Sequence, residues 1–510
     1  IFYAHTKKDP VTGKVLPKED WQLLKEHLSE VEKLAGKFAS KFGAEKLGHI
    51  IGRTHDIGKY SVTFQRRLEG GAKVDHSTAG AQEVYRRYGN TIGKALAYTI
   101  AGHHGGIPDG NRGAPSNLPE RLSNSNIDEY KAFNNEIEIP ELTNEDLKQM
   151  PRAAKGMDAF SFSFCIRMLY SCLVDADYLD TERFMDPERY KMRLNSVPID
   201  TLFTRFEKTL IKLSERSKLN PSVINITRQS ILNRCLEMAE HPPGLFTLTV
   251  PTGGGKTYSS LAFALKHAVK YKKDRIIYVI PYTSIIEQNA QVFREALERG
   301  YENNIVLEHH SNYEYPEKSF DQWDPHEISH RLASENWNMP LIVTTNVQFF
   351  ESLYSNKGSR CRKLHNMVNS VIVLDEAQMI PLNHMKPCLW ALAELVINYK
   401  ATVVLCTATQ PAVKEIIPGG LTPVEIMENP DELQMIFKRV NIEYHGYISD
   451  EKLAEVIAKN HQVLTIVNTR RHAKILFNKV NEISQKDVYH LSARMCPAHR
   501  KEVINKIREV

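Results

Sequence analysis

The sequence predicts a multidomain fold in which a mainly α-helical unit precedes α/β units built on parallel sheets. Three observations predict it. The chain has 510 residues, too many for one hydrophobic core. Apolar residues recur at helical spacing in its first part, up to about residue 195. From about residue 245 onward, short apolar runs alternate with helical segments, as they do in parallel sheets that are covered by helices.

Composition indicates a soluble globular protein. Hydrophobic residues make up 42% and charged residues 25% of the chain, which are ordinary proportions for globular domains. We find no run of about 18 apolar residues that could cross a bilayer. No basic segment followed by an apolar one stands at the N-terminus, although the first residue is Ile1. We therefore expect a cytoplasmic location.

The cysteines and the net charge say less about the kind of protein than the composition does. The seven cysteines are scattered and form no C-x-x-C pair, which favours reduced thiols over a disulfide framework or a zinc site. A net charge of +5 permits a polyanionic partner without establishing one.

The segment from Trp21 to Phe42 predicts the first long helix, because its apolar residues recur every three or four positions. They are Leu24, Leu28, Val31, Ala35 and Phe38. Near residue 220 the sequence pattern changes from successive helices to helix, strand and glycine-rich loop. "VINITRQSILNRCLEMAE" predicts a helix, "HPPG" ends it, and the apolar strand "LFTLTV" runs directly into "PTGGGKT".

Further buried strands are predicted at "RIIYVIP", "LIVTT", "SVIVLDE" and "ATVVLCTAT", at 275–281, 341–345, 370–376 and 401–409. The segment 416–432 is rich in Pro and Gly and predicts a linker. A third unit would then open with "RVNIEYHG" and continue through "HQVLTIVNTR".

The string "PTGGGKT" predicts a phosphate-binding loop between a strand and a helix. Its glycines allow backbone N–H groups to approach a polyphosphate, its lysine can reach the terminal phosphates, and its last threonine can ligate magnesium. Thr252 stands where the usual motif has its first glycine. The residues of this candidate site are Thr252, Gly253, Gly254, Gly255, Lys256 and Thr257.

The string "VIVLDEAQ" places Asp375 and Glu376 at the carboxyl end of a buried strand, where open α/β sheets gather their ligands. Asp375 can hold magnesium through water, and Glu376 can orient and deprotonate the attacking water. The two strings together predict nucleoside triphosphate hydrolysis.

Four further strings fall at predicted strand ends and carry hydroxyl and amide groups suited to a phosphodiester backbone. They are "PYTSIIEQ", "TTNVQFFESL", "CTATQP" and "VNTRR". In this order the motifs resemble superfamily 2 helicases of the DEAD/DEAH type. That resemblance implies that Gln229 contacts adenine, with ATP as the fuel.

Two features depart from that family. The fourth residue of the D-E-A-x box is Gln378, and no Q-x-x-G-R-x-G-R string occurs before Val510. Because that string supplies arginine fingers, we expect a second RecA-like domain that is incomplete and a chain that binds ATP better than it hydrolyses it.

The first 200 residues contain a set of histidines and carboxylates that suits a metal centre. "THDIGKY" supplies His55 and Asp56, and His27 falls on the apolar face of the first helix. The remaining candidates are His76, His103, His104, Asp175 and Asp177. Taken singly, each is more often a core histidine, a loop residue or a solvated carboxylate.

Their order, H, HD, H, HH, D, resembles the HD phosphohydrolase superfamily. Imidazole with carboxylate suits manganese, iron, cobalt, nickel or zinc better than calcium. The resemblance implies one or two such ions at this site. Asp56 would bridge a pair of them, the ions would activate water for phosphoryl displacement, and Lys59 would steady the phosphate charge. The resemblance ranks Asp177 ahead of Asp175 as the closing carboxylate.

An HD unit directly ahead of a superfamily 2 helicase resembles the CRISPR-associated helicase-nucleases of type I systems. "AHT", "FQRRL", "DHSTAGA", "HHGGIPD" and "LSARMCPAHR" also resemble strings of that family. The resemblance implies an all-α HD domain at 1–200, a first RecA-like ATPase domain at 201–430 and the start of a second at 431–510. It further implies recruitment by an RNA-guided surveillance complex, pulling of the displaced single-stranded DNA in the 3′ to 5′ direction, and cutting at the HD site.

Two other functions fit the same motifs. One is an HD phosphohydrolase of small nucleotides with a regulatory ATPase. The other is a DNA-binding module whose motor is inactive.

Overall fold

The computed structural model describes the chain except for residues 10–11, 115, 154, 195–196, 302–304, 311–323, 409–415, 485–486, 493 and 510. Contacts divide the chain into two compact units, Ile1–Lys438 and Arg439–Val510. The larger unit contains both the helical region and the parallel sheet.

The N-terminal region is helical apart from one short antiparallel pair, β1 (Tyr3–His5) with β2 (Gln22–Leu23). Its helices are α1 (Leu24–Ser40), α2 (Glu45–Thr54), α3 (Val62–Leu68), α4 (Ser77–Tyr88), α5 (Lys94–Gly102), α6 (Leu118–Ser123), α7 (Asn144–Lys148), α8 (Asp158–Met185) and α9 (Pro187–Lys191). The predicted first helix is confirmed as α1, and His27 is buried on its apolar face.

Helix α8 is the central helix of this region. Among the residues that the structure describes, it is the one helix long and apolar enough, by length and composition, to span a membrane, and most of its apolar stretch is buried inside the fold. It packs against α1, α2 and α5, so its composition is that of a core helix. It also carries Asp175 and Asp177.

The second region is built on a seven-stranded sheet whose neighbouring strands are all parallel, in the order β5-β6-β4-β7-β8-β3-β9. The strands are β3 (Leu245–Thr249), β4 (Arg275–Ile280), β5 (Val306–His309), β6 (Leu341–Thr345), β7 (Ser370–Leu374), β8 (Thr402–Thr407) and β9 (Val424–Glu425). The five strands predicted from apolar runs are confirmed. Strand β8 lies between β3 and β7, which brings the ends of the two nucleotide motifs close together.

Helices cover this sheet, as the alternation of apolar runs predicted. They are α10 (Ile199–Leu219), α11 (Val223–Met238), α12 (Lys256–Lys270), α13 (Thr283–Leu297), α14 (Pro325–Asn336), α15 (Asn346–Tyr354), α16 (Gly358–Cys361), α17 (Met385–Asn398) and α18 (Pro430–Ile436). One hydrophobic cluster runs without a break from α1 and α8 of the helical region into β7, β8 and α17. The helical region and the sheet region are therefore packed on a shared core.

The predicted linker at 416–432 contains an edge strand. Within it, β9 pairs in parallel with β3, and the Glu425 carboxylate accepts hydrogen bonds from the Thr249 backbone N–H and hydroxyl. This pairing makes the segment part of the sheet.

The second unit, residues Arg439–Val510, contains helices α19 (Asp450–Lys459), α20 (Arg470–Ile483) and α21 (Pro497–Glu509). Among its described residues no strand is assigned. Tyr444 and Leu464 are 92% and 84% exposed, in segments where the resemblance implied the start of a second sheet. A strand requires a neighbour that satisfies its backbone groups, and the described segments have none.

Candidate metal centre and nucleotide site

The structure brings the predicted histidines and one of the two alternative aspartates to one place in the helical region. His27 projects from α1, His55 and Asp56 follow α2, and His76 precedes α4. The others are His103 and His104 at the end of α5 and Asp177 on α8. Their nitrogen and oxygen atoms form overlapping groups in which all ligand atoms lie within 4.8 Å of one another.

Asp56 lies at the middle of this cluster and divides it into two halves. Its Oδ1 atom is 3.3 Å from Nε2 of His76 and 3.3 Å from Nε2 of His103. Its Oδ2 atom is 3.6 Å from Nε2 of His27 and 3.4 Å from Nε2 of His55. A carboxylate with imidazoles on both oxygens is suited to bridging two ions.

Asp177 and His104 close the two halves. Asp177 Oδ1 is 3.4 Å from His27 Nε2 and 3.7 Å from His55 Nε2. The exposed His104 places its Nε2 atom 2.8 Å from Nε2 of His76. Lys59 is buried, and its Nζ atom is 2.6 Å from Asp56 Oδ2.

Local structure fixes the rings of two of these histidines. His55 and His103 each follow the last residue of a helix, where backbone carbonyls lack intrahelical partners. His55 Nδ1 donates to Gly52 O at 2.9 Å, and His103 Nδ1 donates to Ile100 O at 2.6 Å. Each ring therefore turns its Nε2 atom toward Asp56.

Burial and charge give the cluster a preference for cations. Burial alone would raise the pKa of Asp56, but Lys59 and His55 hold it well below its usual range. Burial opposes charge on His27, yet Asp177, Asp180 and Asp56 raise its pKa to about 10. Burial lowers the pKa of His76 to about 4. The carboxylates thus attract positive charge, while His76 offers a neutral ring.

The donor set fits a divalent transition metal. Among the residues that the structure describes, the buried Nε2 atoms of His27, His55 and His103 have no hydrogen-bond partner, a state that is costly unless another group satisfies them. All three face carboxylate oxygens. Imidazole nitrogens combined with carboxylates are the ligands that such metals prefer.

Two residues in the cluster were missed as site residues in the sequence. His5 on β1 groups with His27 and Asp177 within ligand distance, and its ring lies 5.0 Å from that of His27. Asp180 contacts His27 Nδ1 at 2.8 Å. The spacing of Asp180 three residues after Asp177, one turn along α8, was an available signal.

Asp175 is not brought to the cluster, which corrects its inclusion among the candidate ligands. It is fully buried on another side of α8. Its Oδ1 accepts from Arg362 Nε at 2.9 Å, and its Oδ2 accepts from Asn336 Nδ2 at 3.0 Å. Side chains three or four apart share a helix face, and those two apart do not. Asp175 therefore joins the helical region to the sheet region.

We expect Asp175→Ala to lower the free energy of unfolding by about 1–3 kcal/mol, because it breaks a buried, hydrogen-bonded ion pair and leaves Arg362 with the partly exposed Glu335 as its carboxylate partner. Thermal unfolding, monitored by circular dichroism, should show this loss of stability. The control is Asp158→Ala, an exposed carboxylate on the same helix, with a change below about 1 kcal/mol. Manganese affinity should stay unchanged; a fall in affinity without a fall in stability would return Asp175 to the metal centre.

The phosphate loop has the backbone geometry that its sequence predicted. Gly253 and Gly255 have φ angles of 89° and 81°, which favour glycine. At Gly254 a Cβ atom would lie 2.5 Å from Cγ1 of Val250. Lys256 and Thr257 then open α12, so that the helix N-terminus faces the loop.

The acidic pair lies within reach of the loop lysine. Lys256 Nζ is 2.7 Å from Glu376 Oε1 and 3.6 Å from Asp375 Oδ1. Burial raises the pKa of Asp375. Glu376 has a φ of 49°, a conformation that is uncommon for a residue with a side chain. Gln378 Nε2 donates to Glu376 Oε2 at 2.5 Å. The glutamine at the fourth position of the D-E-A-x box therefore orients the glutamate at its second position.

The remaining nucleotide candidates lie on α11, on the loop and at the end of β8. Gln229 is half-buried on α11 and hydrogen-bonds Asn233, while its neighbour Arg228 donates to Gly253 O at 2.8 Å. Thr252 is exposed on the loop. In the "CTATQP" string, Thr407 ends β8, whereas 409–411 lie outside the described residues.

Comparisons with known proteins match both regions. The family model described as "HD domain" matches residues 24–132, and the family model described as "DEAD/DEAH box helicase" matches residues 229–416. A curated relative from Haloferax volcanii, named CRISPR-associated nuclease/helicase Cas3, is 28% identical over 256 residues, and the match covers 47% of this chain and 26% of the relative.

A solved structure has a similar fold. The crystal structure of T. fusca Cas3 aligns with a TM-score of 0.52 at 17% identity, covering 82% of this chain and 51% of that chain. This chain therefore spans about a quarter of the curated relative and about half of the solved chain. The predicted order of a helical region followed by an α/β region on a parallel sheet is confirmed, apart from the short β1–β2 pair, and the two family models match these two regions.

Proposed function

We propose that this chain, which is similar to HD domains over residues 24–132 and to DEAD/DEAH box helicases over residues 229–416, is an ATP-dependent DNA helicase and a metal-dependent nuclease of single-stranded DNA. The observation that carries the proposal is the Asp56 cluster, with imidazole nitrogens on both carboxylate oxygens. It lies in the same compact unit as a phosphate loop and its acidic pair.

At the HD site, Asp56 would hold one or two divalent transition ions between the two halves of the cluster. His27, His55 and Asp177 would complete one half, and His76, His103 and His104 the other. Such ions, when bound, supply Lewis acidity for phosphodiester hydrolysis. Lys59 lies beside Asp56, where its charge would neutralise the scissile phosphate.

The nucleotide site would take ATP with magnesium. Backbone N–H groups of Thr252 to Gly255 would bind the phosphates, and Lys256 would move from Glu376 to their terminal oxygens. Thr257 and Asp375 would hold magnesium, and Glu376, once released, would orient the attacking water. Gln229 would contact adenine, in keeping with the position of α11 against the loop.

A nuclease fed by a strand-pulling motor acts on a polymer, so single-stranded DNA is the proposed substrate. The curated relative is named CRISPR-associated. In keeping with that name, we propose that an RNA-guided surveillance complex of a type I system recruits this protein. The motor would then draw the displaced strand 3′ to 5′ toward the HD site.

Metal removal tests the nuclease. Circular single-stranded DNA has no ends, so its loss requires internal cutting. We expect the protein to cut it with manganese, to stop after treatment with excess EDTA, and to recover when manganese is restored. Cutting that persists in EDTA would contradict the proposal.

Two controls in the same experiment separate the alternatives. Phosphate release from free nucleotides without DNA would favour a small-nucleotide phosphohydrolase. Absence of DNA-stimulated ATP hydrolysis would favour a DNA-binding module with an inactive motor.

A further inference from the structure

We propose that Asp180 is a positioning residue that fixes His27 as a metal ligand, an inference that rests on the metal centre proposed above. Asp180 lies on α8, three residues after Asp177, and is fully buried. Its Oδ2 atom is 2.8 Å from Nδ1 of His27. The opposite nitrogen of that ring, Nε2, faces Asp177 and Asp56 at 3.4 and 3.6 Å.

The position of His27 explains why it needs a distant partner. His55 and His103 each follow a helix, and their Nδ1 atoms donate to carbonyls three residues earlier. His27 is the fourth residue of the long helix α1, whose carbonyls are taken by intrahelical hydrogen bonds. The partner of its Nδ1 atom must therefore come from another element, and Asp180 on α8 supplies it.

This partner differs in charge from those of the other rings. His55 and His103 donate to neutral carbonyls, and His76 Nδ1 is 3.3 Å from the Val74 carbonyl. A carboxylate that accepts from Nδ1 keeps the proton on that nitrogen, so that Nε2 is the atom with which the ring would bind a metal ion. It also makes the ring a stronger donor toward a metal.

The Asp180 carboxylate is itself held on both oxygens. Gln22 Nε2 donates to Oδ2 at 2.7 Å, and Arg183 Nη2 donates to Oδ1 at 2.7 Å. Gln22 belongs to β2 and Arg183 to α8. Because both oxygens are engaged, the carboxylate cannot turn away from His27. The ring plane of His27 is thereby fixed before any ion arrives.

The test measures manganese affinity of the full chain by titration calorimetry, without DNA or ATP. Asp180→Asn keeps the size of the side chain and removes its charge. We expect the affinity to fall about 10- to 100-fold, the usual effect of losing such an orienting partner. The matched control is Glu30→Gln, which removes the other carboxylate partner of Arg183 and leaves the Asp180–His27 contact intact. Its affinity should equal that of the unaltered protein.

A second background separates positioning from a general role in the fold. In His27→Gln, the change Asp180→Asn should cause no further loss of affinity, because its effect passes through that ring. Equal losses in both backgrounds would overturn the inference, as would unchanged affinity in Asp180→Asn. If the unaltered protein binds no manganese, the proposed metal centre itself fails, which is a distinct result.

A milder variant serves if Asp180→Asn does not fold. Gln22→Met removes one hydrogen bond to Asp180 and keeps the charge. A loss of affinity that disappears in the His27→Gln background supports the inference, and unchanged affinity contradicts it.

Discussion

Asp56→Ala is expected to abolish metal-dependent DNA cutting while ATP hydrolysis continues. Asp56 is the residue that faces histidines on both oxygens, so its loss removes a ligand from both halves of the cluster. Metal ions supply several kcal/mol of transition-state stabilisation, and about 1.36 kcal/mol is a factor of ten in rate. We therefore expect cutting to fall by at least about 10³-fold, measured on circular single-stranded DNA with manganese.

Folding must be separated from catalysis in that variant, since Asp56→Ala leaves Lys59 buried without its carboxylate partner. Asp56→Asn, which retains the size and a hydrogen-bonding group, should lose cutting as well. Thermal unfolding in EDTA reports on the fold of each variant. A folded Asp56→Asn protein that cuts at the normal rate would remove Asp56 from the proposed chemistry.

Lys256→Ala is expected to abolish ATP hydrolysis and leave manganese-dependent cutting of single-stranded DNA intact. Lys256 pairs with both acidic residues of the nucleotide site. In the proposed function its side chain binds the terminal phosphates of ATP. Loss of one such electrostatic group typically costs about 10²- to 10³-fold in rate. Phosphate release in the presence of DNA is the measurement.

The matched control for that variant is Lys266→Ala on the same helix, α12. Lys266 pairs with Glu240, away from the phosphate loop. The Lys266→Ala protein should therefore hydrolyse ATP at the normal rate. If Lys256→Ala retained normal hydrolysis, the loop would not be the ATP site. If it lost cutting of free single-stranded DNA too, the two sites would not be separable.

Short motifs determined most of what could be predicted, because their chemistry depends on residues close in sequence. The phosphate loop, the acidic pair and His55–Asp56 were identifiable since strand, turn and helix follow one another within a few residues. The choice between Asp175 and Asp177 was harder. Helix geometry separates their faces, but the partner that claims Asp175 is Arg362, which is 187 residues away in sequence.

His5 and Asp180 were missed for the same reason. A single histidine on a short strand carries no local pattern, and its proximity to His27 and Asp177 arises only when β1 pairs with β2. Asp180 acquires its proposed role through a contact with His27 across 153 residues. Contacts of that kind depend on how α1 packs on α8, which periodicity alone does not specify.

Two strands of the sheet also escaped prediction. β9 is two residues long and lies in a segment rich in Pro and Gly, and β5 includes the polar residues Glu308 and His309. Strand formation depends more on the neighbouring strand than on intrinsic preference. Both become strands because β3 and β6 offer them a partner.

The measurement that tests the account most directly applies two assays to three proteins. Cutting of circular single-stranded DNA with manganese and DNA-stimulated ATP hydrolysis are measured for the unaltered chain, Asp56→Ala and Lys256→Ala. We expect the unaltered chain to do both, Asp56→Ala to lose only cutting, and Lys256→Ala to lose only hydrolysis. Equal cutting by the unaltered chain and Asp56→Ala would contradict this expectation.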